Sequence, residues 1–138
     1  MSKTFNLFIS HSWTYGNEYD RLINLLNEKK YFDFKDYSVP KNDPIHSASN
    51  QTELYEAIKK QISPCHLVII LAGVYASYSK WIDKEITIAK KEFTIPKPLL
   101  AIKPFGNDKV SLSASEKADQ LVNWNTESIV AAIRDLCK

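Results

Sequence analysis

The sequence predicts an α/β protein with a central parallel sheet covered by helices on both faces, and three observations carry that expectation. The first is Leu67-Val68-Ile69-Ile70-Leu71, an apolar run without alternation, closed by Gly73. A strand with no polar face suits the middle of a parallel sheet, where both sides are covered. The second is the regular exchange of short apolar runs with stripes of helical period. The third is punctuation, with Pro40, Pro44, Pro64, Pro98 and Pro104 falling between these segments. Strand and helix in alternation predict parallel strands joined by helical crossovers.

Each element follows in order. Phe5 to Ser10 reads as a buried first strand. Tyr19, Leu22, Ile23 and Leu26 stand at i, i+3, i+4 and i+7, one face of a first helix. Phe34 to Tyr37 reads as a second strand, and the polar stretch from Ser38 to Asn50 as a loop. Leu54, Ile58 and Ile62 mark a second helix stopped by Pro64. After the strand Leu67 to Leu71, a third helix buries Ile82, Ile86, Ala89 and Phe93. Leu99 to Ile102 is a fourth strand, and Leu121-Val122 a short fifth. Ile129, Val130, Ile133 and Leu136 form a last helical stripe, capped by Asn125 or Thr126. The chain shows no repeat, low-complexity segment or linker, so all 138 residues are expected to form one domain.

Composition narrows the function. A net charge of +2 makes no demand for nucleic acid or an anionic membrane. The pairs Lys29-Lys30, Lys59-Lys60 and Lys90-Lys91 fall near helix ends, where the helix dipole favours cations. Cys65 and Cys137 are far apart and read as reduced, buried thiols; no metal site is expected, because His11, His46 and His66 lack ligand spacing. His66 directly precedes the central strand and reads as structural. With no signal peptide and no apolar run approaching roughly 20 residues, the expected location is the cytoplasm. GxGxxG and Walker loops are missing from a chain with only 3 glycines. A receiver domain of the phosphorelay type needs acidic residues where Ser10-His11-Ser12 and Ala72-Gly73 stand.

Ligands of open parallel sheets sit outside the carboxyl ends of the strands. The most informative stretch there is Ser77 to Ile86, in which Trp81 and Glu85 are four residues apart and share a face beside the buried stripe. A carboxylate beside an indole in a partly desolvated cleft suits a forming cation; the plain alternative is a surface Glu paired with a helix lysine. Ser10, His11 and Ser12 follow the first strand, where they serve either a ligand phosphate or ribose, or an ordinary turn. Asp36, Tyr37 and Asp43 carry the same two readings, nucleotide contact or turn chemistry.

Together these stretches resemble a TIR domain. Phe8-Ile9-Ser10-His11-Ser12 is similar to that family's first strand and following loop, Ser63-Pro64-Cys65 leads into a similar central strand, and Ser77-x-x-x-Trp81-x-x-x-Glu85 is similar to the signature opening its third main helix. The likeness runs from about Phe5 to Leu136 and is greatest to short bacterial TIR-like proteins, including those of Thoeris anti-phage systems. Two departures are Ala72-Gly73 in place of a strand-end Ser or Cys, and a loop from Ser38 to Asn50 without the usual glycines.

The resemblance implies a flavodoxin-like fold with a five-stranded parallel sheet, and an enzyme that splits the bond between nicotinamide and ribose in NAD. NAD is then substrate, and no cofactor is implied. The catalytic glutamate falls on Glu85, with Ser10, His11, Asp43, Ser77 and Trp81 as substrate contacts. The product is ADP-ribose or a cyclised form that activates an effector protein, and self-assembly through TIR surfaces is expected. The alternative of another class is a TIR interaction module that turns nothing over. A nucleoside deoxyribosyltransferase is a further enzyme alternative, separable by its deoxynucleoside substrates.

Overall fold

The structure is a computed structural model that describes residues 4–10, 18–30, 32–37, 51–71, 80–103 and 117–137. Its strands are β1 (Thr4–Ser10), β2 (Asp33–Asp36), β3 (Leu67–Leu71), β4 (Leu99–Ile102) and β5 (Gln120–Val122). The helices are α1 (Glu18–Asn27), α2 (Gln51–Ile62), α3 (Lys80–Lys91) and α4 (Thr126–Leu136). All strands are parallel and lie in the order β2-β1-β3-β4-β5, the flavodoxin-like arrangement.

The period-2 alternation of side chains sorts each strand between two cores. Val68 and Ile70 of β3, Phe8 of β1 and Leu99 and Ala101 of β4 face α2 and α3, packing with Ile58, Ile62, Ile86, Ile88 and Ala89. Leu67, Ile69 and Leu71, with Leu7, Ile9, Leu100 and Ile102, face α1 and α4 and meet Leu22, Leu26, Ile129 and Ile133. Every residue of β3 is buried. Burying such a side chain contributes roughly 1.5–3 kcal/mol, which explains why a run without polar residues ends up at the centre. Both cysteines are free and buried.

The amino edge of the sheet is held by directed polar contacts. The His66 backbone N–H donates to the Asn6 carbonyl at 2.8 Å, and the Asn6 N–H donates to His66 Nδ1 at 2.9 Å. An accepting Nδ1 leaves the ring proton on Nε2, so His66 is a structural histidine, as its position before β3 implied. Asp119 Oδ2 accepts from the Leu99 N–H at 2.7 Å and from Lys90 Nζ at 3.1 Å, tying the end of α3 to the start of β4. Lys97 Nζ donates to the carbonyls of Ser63 at 3.0 Å and Cys65 at 2.9 Å, closing the exit of α2. Lys59 and Lys60 occupy the last turn of α2, and Lys90 and Lys91 that of α3. Lys29, just past α1, reaches Glu127 in the first turn of α4 at 2.6 Å. These placements agree with helix-end roles for the lysine pairs.

The boundaries differ from the expectation in three places. β2 begins and ends one residue early, at Asp33 and Asp36, because Tyr37 has already left the strand while its N–H still donates to the Leu7 carbonyl at 2.8 Å. Leu121 of β5 is 38% exposed, since an edge strand has one neighbour and incomplete cover. Phe93 lies two residues past the end of α3, yet it packs, half-buried, against the core that Ile86, Ile88 and Ala89 enter. The Glu92 N–H makes the last helical bond, to Ile88, and the Ala89 carbonyl is taken by the Lys97 N–H at 2.9 Å. Ile88, which the sequence pattern did not single out, is fully buried in that core.

Asn125 caps α4 by accepting from the Ser128 N–H at 3.0 Å, which decides between the two cap candidates. Asn125→Ala is expected to lower stability by about 1 kcal/mol, and Ile69→Ala, at a fully buried position, by about 2–5 kcal/mol. Urea unfolding followed by circular dichroism measures both. Equal effects at the two sites would contradict the packing hierarchy described here.

Candidate functional site

The carboxyl edge of the sheet is formed by the ends of β1, β3 and β4. Ser10 closes β1 and pairs with Ile70 of β3, while Leu71 pairs with Ile102 one step further out. The anchors on Lys90 and Ala89 place the end of α3 at the opposite, amino edge. Twelve residues of α-helix span about 18 Å, close to the length of a five-residue strand at roughly 16 Å. The first turns of α3 therefore stand beside the carboxyl edge, where open sheets bind ligands.

Trp81 and Glu85 both belong to that first half of α3. At about 100° per residue, position 85 lies about 60° from Ile88 and about 40° from Ala89 around the helix. Ile88 and Ala89 are both fully buried. On the helical wheel position 85 therefore lies between Ile88 and Ala89, and position 81 lies one turn earlier. The sequence had placed both beside the buried stripe. Ile88 is a buried member of that stripe which the sequence did not single out.

The other predicted contacts divide in two. Ser10 sits at the strand end where it was expected, whereas His11, Asp43 and Ser77 lie outside the described residues. Asp36 ends β2, and the Tyr37 backbone is held by Leu7 and by Gln61 Nε2, which donates to its carbonyl at 3.0 Å. That is a structural tether for the start of the loop. Lys97 and Asp119, which aim α3 from its far end, were not singled out from sequence; neither sits in a motif, and their bonds join residues 20 to 34 positions apart.

Cys65 offers no nucleophile. Its Sγ is 3.4 Å from the Gln61 carbonyl, and burial pushes the thiol from 9.0 up to about 12, with Lys97 opposing and Asp36 adding to the rise. Two hollows are formed by the described residues. One of about 580 Å³ runs along α2 to Phe93, and one of about 380 Å³ lies between α1 and Trp124. Among the described residues no three His, Cys, Asp or Glu side chains are placed to hold a metal, and no helix is long and apolar enough to cross a membrane.

A five-stranded parallel sheet in this order, with helices on each face, defines a flavodoxin-like α/β fold. The crystal structure of the IL-17 receptor B SEFIR domain matches it with a TM-score of 0.56 over 97% of this chain and 95% of that chain, at 10% sequence identity, a likeness of fold. The family model described as "Thoeris protein ThsB, TIR-like domain" matches residues 8–109, and the chain belongs to that family. The matched span takes in Ser10, β3 and the whole of α3. A comparison with curated proteins found no match.

The thiol carries its own test. The folded protein keeps the Cys65 proton while the unfolded chain loses it above pH 9.0, so stability declines between pH 9.0 and about 12. Denaturation midpoints across that range should fall less steeply in Cys65→Ala than in the parent protein. Alkylation of Cys65 at pH 8 should be slow in the folded protein and fast after unfolding.

Proposed function

We propose that the chain is an NAD-processing enzyme in which Glu85 stabilises the ribosyl cation formed when nicotinamide leaves. The observation that carries this reading is the position of Glu85. Glu85 belongs to the first half of α3, the helix that follows the central strand, within the TIR-like family match.

Bond chemistry explains why a carboxylate belongs there. The C1′–N bond of NAD breaks with its electron pair moving to the pyridinium nitrogen, which becomes neutral. Positive charge passes to the ribose as an oxocarbenium ion. A carboxylate aimed at that carbon, or at the ribose hydroxyls, stabilises the developing charge as glycosidase carboxylates do. Water adding to the cation and releasing a proton yields ADP-ribose. A hydroxyl or base nitrogen of the same molecule, arriving first in a site closed to water, yields a cyclic product.

Trp81, one turn before Glu85, packs beside the reacting ribose in this proposal, and Ser10, His11, Asp43 and Ser77 hold the nucleotide. The chain works in the cytoplasm as a single domain, assembles with its own copies, and releases a product that activates an effector in anti-phage defence.

Glu85→Gln keeps the side-chain shape and removes the charge, so nicotinamide release from NAD should fall by about 100-fold or more. Mass-resolved chromatography of reactions with pure protein, and of lysates from phage-challenged cells, reads both the release and the product mass. Release unchanged in the variant would remove Glu85 from the chemistry. No release under either condition, from folded parent protein, would make the chain an interaction module.

A further inference from the structure

A second surface lies at the other end of the molecule. Glu56, Lys59, Lys60 and Ser63 stand at i, i+3, i+4 and i+7, one stripe along α2 and its exit. With Pro64 and Phe93 they line the hollow of about 580 Å³, a size that accepts a large side chain with its flanking backbone. Two residues beyond Phe93, Ile95 is 80% exposed, against 38% for Leu121, the other exposed large apolar residue among those described. Lys97 Nζ lies 5.0 Å from the centre of the Phe93 ring.

The groove therefore has an apolar floor, an exposed apolar residue two positions beyond its Phe93, and an excess of positive charge in its lining, two lysines against one glutamate, with Lys97 over the Phe93 ring. The fold does not require this arrangement. Ile95 contributes nothing to either core, and Lys59 and Lys60 do not appear among the ion pairs of the described residues. We infer that this groove docks an acidic peptide segment of a partner protein, its carboxylates meeting Lys59 and Lys60 and one large apolar side chain entering between Pro64, Phe93 and Ile95. A second copy of this chain is the poorer occupant, because the chain carries a net charge of +2 and would bring like charge to a positive groove. The surface is remote from the carboxyl edge and does not depend on the proposed chemistry.

The test is fluorescence polarisation of the full chain with a labelled peptide of about 12 residues, rich in Asp and Glu around one central leucine. Three comparisons accompany it: the leucine replaced by serine, the acidic residues replaced by lysine, and sedimentation of the protein alone at rising concentration. Saturable binding is expected to the acidic peptide only. It should weaken several-fold between about 50 and about 500 mM salt. It should weaken about tenfold in the Lys59→Gln/Lys60→Gln double variant, and comparably in Ile95→Ser, with circular dichroism unchanged. Equal binding of the basic or leucine-free peptide, no binding at all, or affinity untouched by the substitutions would overturn the inference. So would concentration-dependent self-association lost in the same variants, which would give the groove to a second copy.

Discussion

The structure depends on the burial of β3 from both sides. Five consecutive apolar residues cannot face water, and a parallel strand bonded to β1 and β4 offers two faces that each need a helical layer. Helices α2 and α3 supply one layer and α1 and α4 the other. Alternate residues of one strand thus recruit helices from opposite ends of the sequence. The cost of ordering distant segments is offset by the apolar area that the central strands remove from water.

Once the helices are committed to those layers, polar contacts decide how they are aimed. At the amino edge, Lys97 joins the exit of α2 to the floor below Phe93, and Asp119 joins α3 to β4. An α-helix is stiff over about 18 Å, so anchoring one end sets the position of the other. The first turns of α3, with Trp81 and Glu85, are delivered to the carboxyl edge by bonds made at the far side of the sheet. The anchors and the candidate site lie at opposite ends of the same helix.

The likeness to the SEFIR domain, at 10% identity over nearly the whole of both chains, shows how little sequence this architecture demands. A fold so permissive says little about activity, which resides in particular side chains grafted on it. The family match is the narrower finding, since it spans the stretch from β1 through α3 that carries the Ser10 and Glu85 positions. The groove beside α2 is of another kind. Of its lining residues Phe93 also packs against a core, while the lysines and the exposed isoleucine nearby suit recognition of a partner.

Local pattern in the sequence by itself determined the kind and order of the elements. An unbroken apolar run, stripes at helical spacing and proline punctuation act within a few residues of one another, and burial follows them closely at β1, β3, β4 and α4. The Asn125 cap and the structural role of His66 were legible for the same reason, each lying next to the element it serves. Tertiary structure alone decided where the chain departs from its local period. Phe93 has the spacing of a helix residue, yet α3 stops short of it because the Lys97 N–H takes the Ala89 carbonyl. Phe93 still packs against the core from beyond the helix end, while Ile88, which the local pattern did not single out, is fully buried. The strand order and the anchors of Lys97 and Asp119 are likewise invisible locally, because each joins residues that meet only after the sheet has formed.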